Sequence, residues 1–112
     1  MRDYYKEFVD ISLQQCREDD YLDPKKIRAH NIAMRKMKRL QRELQSNGVT
    51  DFCQKLLKHE DDRVRMNAAV LCLQLQFCKT EAVETLSHIA HSSTDNTLRF
   101  SAKMVLKGID QT

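Results

Sequence analysis

Eight side chains in this sequence have the chemistry to hold a metal ion or to attack a substrate: Cys16, Cys53, Cys72, Cys78, His30, His59, His88 and His91. His88 and His91 stand three apart on one side of a helical pattern, with Cys78 one loop before them. A structural zinc site needs four well-spaced ligands, and no Cys-x-x-Cys occurs, so no metal is expected. Cys53 and Cys72 fall on apolar stripes and read as core thiols. A cysteine–histidine nucleophile would need a Gly-bounded turn and a loop able to bind an oxyanion. With only 2 glycines, the chain has no such loop. The neighbouring carboxylates of Asp19 and Asp20 lie on a polar loop, where water keeps them ordinary acids. The reading is of a non-enzyme with no catalytic residue and no cofactor.

Two charged stretches carry chemistry of recognition instead. The segment Glu18-Asp19-Asp20-Tyr21-Leu22-Asp23 sets four carboxylates around an aromatic and an aliphatic side chain. Such a surface can imitate a phosphate backbone and enter a basic cleft of a protein partner, with Tyr21 as anchor. The protein-binding candidates are therefore Glu18, Asp19, Asp20, Tyr21 and Asp23. The plainer alternative is a helix–helix loop that tucks Tyr21 and Leu22 into the core. Lys25, Arg28, Arg35, Arg39 and Arg42 form the second stretch. At about 100° per residue they share a narrow sector of one helix, interrupted by Ile32 alone. They could track phosphates, although no aromatic residue interleaves to stack on bases. A solvated helix face is the competing explanation.

The elements that must position these groups are helical. Gly 2, Pro 1 and no Trp leave few places for tight turns, which predicts long helices and short loops. The first is expected from about Asp3 to Cys16, with Tyr5, Phe8, Val9, Ser12 and Cys16 on one stripe, broadened by Ile11 and Leu13. Asp23 is a natural N-cap before Pro24 in the first turn. The second helix runs from there to about Ser46, with Ile27, Ala33, Met34, Met37, Leu40 and Leu44 facing inward and Asn47-Gly48 as its stop. A third is expected from about Thr50 to Lys58, burying Phe52, Cys53, Leu56 and Leu57. The fourth spans about Asp62 to Phe77, with Val64, Ala68, Leu71 and Leu75 inward. The fifth runs from about Glu81 to His91, capped by Thr80, with Val83, Leu86, Ile89 and Ala90 inward. The sixth covers about Asn96 to Gly108, burying Leu98, Ala102, Val105 and Ile109.

One domain accounts for 112 residues. A formal net charge of +3 is too mild to imply nucleic-acid binding unaided. The N-terminus lacks the apolar run of a signal sequence, and no stretch is long and apolar enough for a membrane. The expectation is a cytoplasmic protein with reduced cysteines.

The stretch from Asp61 to Cys72 is echoed 34 positions later, from Asp95 to Leu106. Asp61 matches Asp95, Val64 matches Leu98, Arg65 matches Arg99, Ala68 matches Ala102 and Leu71 matches Val105. Val49, Phe52 and Leu56 map onto Val83, Leu86 and Ala90 at the same offset. A period of this size, with one amphipathic helix pair per unit, is the signature of a helical repeat array; a plain six-helix bundle is the alternative. Residues 49–78 and 79–112 read as two repeats, and 1–48 as an atypical N-terminal hairpin.

An Asp, then Val-Arg and Ala-Ala, resembles the second helix of a HEAT-type repeat. Asp61, Val64, Arg65, Ala68 and Ala69 carry the likeness. Asp95, Leu98, Arg99 and Ala102 carry a looser second copy. From about Thr50 onward the chain resembles a family of small bacterial HEAT-like domains of unknown function. The resemblance implies an all-α, short, right-handed array of helical hairpins, about six helices in one domain. In such repeats the Asp caps a helix and the Arg reaches the next repeat, so these are scaffold residues. The resemblance also implies a protein partner, with a cognate nuclease-type toxin domain neutralised by an immunity protein as the specific form. Some HEAT-like proteins hold DNA on a basic concave face, which keeps nucleic acid as the alternative, and a structural adaptor subunit as a third. The oligomeric state stays open.

Overall fold

Asp61 and Asp95 start two helices in the same way. The Asp61 carboxylate Oδ1 accepts hydrogen bonds from the backbone N–H of Arg63 (2.8 Å) and Val64 (3.2 Å). The Asp95 Oδ1 accepts from Thr97 (2.9 Å) and Leu98 (3.2 Å). Each cap satisfies N–H groups that have no partner inside the helix. The offset seen in the sequence thus recurs as local geometry.

The computed structural model describes residues 3–15, 23–48 and 50–110. It is all-α, with six helices and no strand among the described residues: α1 (Tyr4–Leu13), α2 (Pro24–Asn47), α3 (Cys53–Leu57), α4 (Asp62–Leu75), α5 (Lys79–Ser92) and α6 (Asn96–Asp110). None is long and apolar enough to cross a membrane. α1 starts at Asp3, whose side chain accepts from Lys6 N, and α2 at Asp23, whose side chain accepts from Lys25 N at 2.9 Å. Pro24 occupies the first turn of α2, where a missing N–H costs nothing. Gly48 ends α2 at φ 62°, in the left-handed region that glycine enters without strain.

Four local expectations need correction. Leu13 is 52% exposed at the end of α1 rather than part of its buried stripe. α3 is shorter than the expected Thr50–Lys58 helix, because Phe52 stands at its N-cap and offers no side-chain acceptor. α5 begins at Lys79, so Thr80 lies inside the first turn instead of capping it. Arg65 pairs with Asp62, one turn back on its own helix, rather than reaching another hairpin.

The α4–α5 connection holds the reason α5 starts early. Gln76 and Cys78 both adopt positive φ, 55° each, without being glycine. Phe77 N–H donates back to the Cys72 carbonyl (3.0 Å) and Gln76 N–H to Leu73 (3.3 Å), closing the last turn of α4. This is a Schellman-type end, and it reverses the chain in three residues.

α5 packs on both α6 and α4, α3 on α4 and α5, α1 on α2 and α4, and α4 also on α2 and α6. α2, α4 and α6 therefore lie side by side, with α3 and α5 behind them. α1 joins α3 through Lys55, whose Nζ sits 4.5 Å above the Tyr5 ring. It joins α2 through the Tyr4 hydroxyl, which donates to Glu43 (3.4 Å). Phe8, Leu40, Leu44, Leu56, Val64, Leu71, Leu86, Ile89 and Leu98 form one continuous buried core. Ala68, Ala69, Ala82 and Ala102 are fully buried. Their small side chains let the helices of this core approach closely. Ile27, Met34, Val83, Leu75, Val105 and Ile109, all expected inside, are half-buried.

Candidate functional site

At the edge of this core, α2, α4 and α6 enclose a groove of about 520 Å³, with the core residues Met37 and Met66 in its lining. Its lining comes from the end of α1 (Gln15), from α2 (Met34, Met37, Lys38, Gln41, Arg42, Gln45), from α4 (Arg63, Met66, Asn67, Val70, Gln74) and from α6 (Ser101). The α2 members recur at steps of three and four, as one face of a helix must. The same holds for Arg63, Met66, Asn67, Val70 and Gln74 on α4.

Glutamines rather than alanines separate α2 from α4 at this level. Gln41 Nε2 donates to the Asn67 carbonyl, and one turn on Gln45 Nε2 donates to the Gln74 carbonyl, each at 3.5 Å. Asn67 in turn donates from Nδ2 to Ser12 Oγ (3.0 Å) and to Gln15 Oε1 (2.9 Å), and Gln15 Nε2 lies 2.8 Å from the Met34 sulfur. Ser12 and Gln15 are buried, so these bonds answer polar groups that would otherwise be stranded. The network fixes the end of α1 and holds the groove at a set width.

Every charged residue lining the groove is a cation: Lys38, Arg42 and Arg63. Arg63 stands near enough to His30 of α2 to act on its charge. Burial, and then the nearby Arg63 guanidinium, hold the His30 imidazole below its usual range. The remaining lining is amide, thioether and aliphatic, with a single hydroxyl at Ser101. Such a set can desolvate apolar surface, donate hydrogen bonds and bind anionic groups.

The structure divides the residues expected to act. Arg42 lines the groove. Arg39 lines a separate depression against α1, in company with Glu7, Lys36 and Glu43. Lys25, Arg28 and Arg35 are exposed along α2, as is Ile32. Asp23 is exposed, and its carboxylate is engaged as the cap of α2. Glu18, Asp19, Asp20 and Tyr21 lie outside the described residues, as do Cys16 and Val49. Cys53 and Cys72 are buried free thiols, as expected of core residues. A hydrogen bond with Cys53, together with burial, pushes the Cys72 thiol well above the usual range. His88 lines an outer depression with Lys58, Arg65, Glu81 and Glu84. Among the described residues, no three His, Cys, Asp or Glu side chains gather as metal ligands.

Lys38, Arg63, Met66 and Val70 did not stand out in the sequence as site residues. The available signal was the spacing: Met66 and Val70 are four apart and share a face beside the stripe of Val64, Ala68, Leu71 and Leu75.

The model of one family, described as Domain of unknown function (DUF2019), matches residues 3–110. No curated protein and no solved structure matches the chain.

Proposed function

This chain belongs to the DUF2019 family, and we propose that it is a non-catalytic, cytoplasmic protein-binding module built as a short HEAT-like array. The observation that carries this reading is the groove across α2, α4 and α6, floored by Met34, Met37, Met66 and Val70 and edged by cations. Methionine is unbranched and polarizable, and surfaces rich in it adapt to a partner's side chains. The lining holds no carboxylate, thiol or imidazole, the usual carriers of proton transfer and nucleophilic attack. The matching caps at Asp61 and Asp95 support the array. The specific form we favour is an immunity protein that neutralises a nuclease-type toxin domain; the resemblance of the sequence supports it.

Affinity purification from the native host, at low and at moderate salt with nuclease present, tests the reading. One stoichiometric protein retained in both conditions is the expected result, and toxicity of that protein would support the immunity role. Recovery of no protein at either salt overturns it. A second reading, nucleic-acid binding, is favoured by the exposed Lys25, Arg28, Arg35, Arg39 and Arg42. It requires an affinity that falls steeply with salt and is lost in the double variant Arg35→Glu, Arg39→Glu.

A further inference from the structure

Beside Ser101, α6 continues the pattern of α4. Offset by 34, Met66, Asn67 and Val70 on α4 become Phe100, Ser101 and Met104 on α6. Ser101 lines the groove, and its two companions are the most exposed large apolar residues of α6, Phe100 at 66% and Met104 at 52%. They stand four apart, so they share one face of α6 beside Ser101 and flank the groove rather than line it. The opposite rim is α2, where Lys38 and Arg42 also stand four apart and Arg35 precedes Lys38 by three. The α2 rim thus carries two of the three groove cations, with Arg63 of α4 as the third, and exposed apolar side chains of α6 flank the other side.

We infer that this groove receives an acidic amphipathic helix of a partner protein. The inference rests on the protein-binding reading above and specifies what is bound and where. An incoming helix that lays an apolar stripe on Val70, Phe100 and Met104 would hold its flanking carboxylates against Lys38 and Arg42. Recognition of this kind reads apolar anchors at helical spacing, and the charges set orientation and partner choice. A helix of about 18 residues is about 27 Å long, within the 36 Å extent of the molecule. A second copy of the chain is poorly matched to the site, because its own groove rim carries the same positive charge.

The test titrates two synthetic 18-residue peptides into the isotope-labelled full chain and follows amide shifts. Both peptides carry leucines at helical spacing; one has glutamates beside the stripe and the other lysines. The expected result is binding of the glutamate peptide at least tenfold tighter than its lysine twin, with shifts confined to the groove faces of α2, α4 and α6. The double variant Lys38→Glu, Arg42→Glu should reverse the preference. Phe100→Ser with Met104→Ser should weaken binding at least tenfold while leaving the helical spectrum intact. Equal affinities, no binding of either peptide, or shifts on the outer faces of α3 and α5 would overturn the inference. Displacement of the peptide by a tighter-binding RNA duplex would assign the groove to nucleic acid instead. A concentration-dependent dimer abolished by Phe100→Ser would assign it to a second copy. A stoichiometric partner still captured by the Lys38→Glu, Arg42→Glu protein would leave the protein-binding reading standing while this inference falls.

Discussion

Asn67 is the residue on which the groove's geometry turns, and removing it has a calculable cost. Its side-chain amide donates to Ser12 at 3.0 Å and to Gln15 at 2.9 Å. Asn67→Ala deletes both bonds, each worth about 1 kcal/mol net. It also strands the Gln15 carbonyl oxygen, on a residue only 6% exposed, which raises the cost of losing that bond to about 1–3 kcal/mol. The Ser12 hydroxyl can rotate toward a carbonyl of its own helix, so less is lost there. We expect a destabilisation of about 2–3 kcal/mol. Ser12→Ala alone should cost about 1 kcal/mol, and the double variant about 1 kcal/mol less than the sum, because the shared bond is counted twice. Trp is absent, so urea unfolding followed by helical circular dichroism is the suitable assay. With a slope of about 1–3 kcal/mol per molar urea, the Asn67→Ala midpoint should fall by about 1 M. An Asn67→Ala protein within about 0.5 kcal/mol of the parent would be behaving like an ordinary surface variant. That result, or strict additivity with Ser12→Ala, would refute the claim that this network ties α1 to α4.

Further outcomes follow from other parts of the fold. Asp61→Ala and Asp95→Ala should each cost about 1 kcal/mol by loss of a cap, and the pair should add, since the two caps share no partner; denaturation of the three variants measures this. Leu71→Ala or Leu86→Ala, at fully buried positions, should cost about 2–5 kcal/mol; retention of parental stability would remove those residues from the core. Gln76→Gly should raise stability by up to about 1 kcal/mol, because the left-handed conformation strains any side chain while glycine gives back part of the gain in the unfolded state. His30 is held below its usual range, so its neutral form favours the folded state. The sign follows: the contribution is complete above the unfolded-state value and is lost as pH falls below it. His30→Gln should therefore lose less melting temperature between neutral pH and mildly acid pH than the parent, and an equal or larger loss would contradict the assignment.

The helices were legible in the sequence wherever a residue type has one conformational use. Asp23-Pro24 and Asn47-Gly48 bounded α2 to within a residue, because a cap, a fixed φ and a positive φ are local demands. The α4–α5 connection was misplaced for the converse reason. Gln76 and Cys78 enter the left-handed region without being glycine, and no residue type announces that. Arg65 was assigned across hairpins because an arginine's reach does not say which carboxylate it meets; Asp62, one turn away, is nearer. The site was legible in its ingredients only. Arg42 belongs to the cationic stripe read along α2, yet a stripe on one helix does not say which part faces a neighbour. The structure turns Arg42 into the groove and Arg39 toward Glu7 and Glu43.

What the one-helix view misses is that α4 must satisfy neighbours at two distances. Its inner face carries Ala68 and Ala69 with Val64 and Leu71, all fully buried, and there the helices close to contact. Its other face carries Met66, Asn67, Val70 and Gln74, and there Gln41 and Gln45 of α2 reach across to bond its carbonyls. Long amides bridge where alanines would have closed the gap. A groove follows from that choice of spacer, and its apolar floor is the edge of the core itself, Met37 and Met66, with half-buried Val70 beside them. α6 repeats the inner face with Leu98 and Ala102, both buried. It repeats the outer face with Phe100 and Met104, but no helix after it completes a second groove among the described residues. The two most exposed apolar side chains of α6 therefore belong to this outer face, the one on which the inferred partner helix would lie.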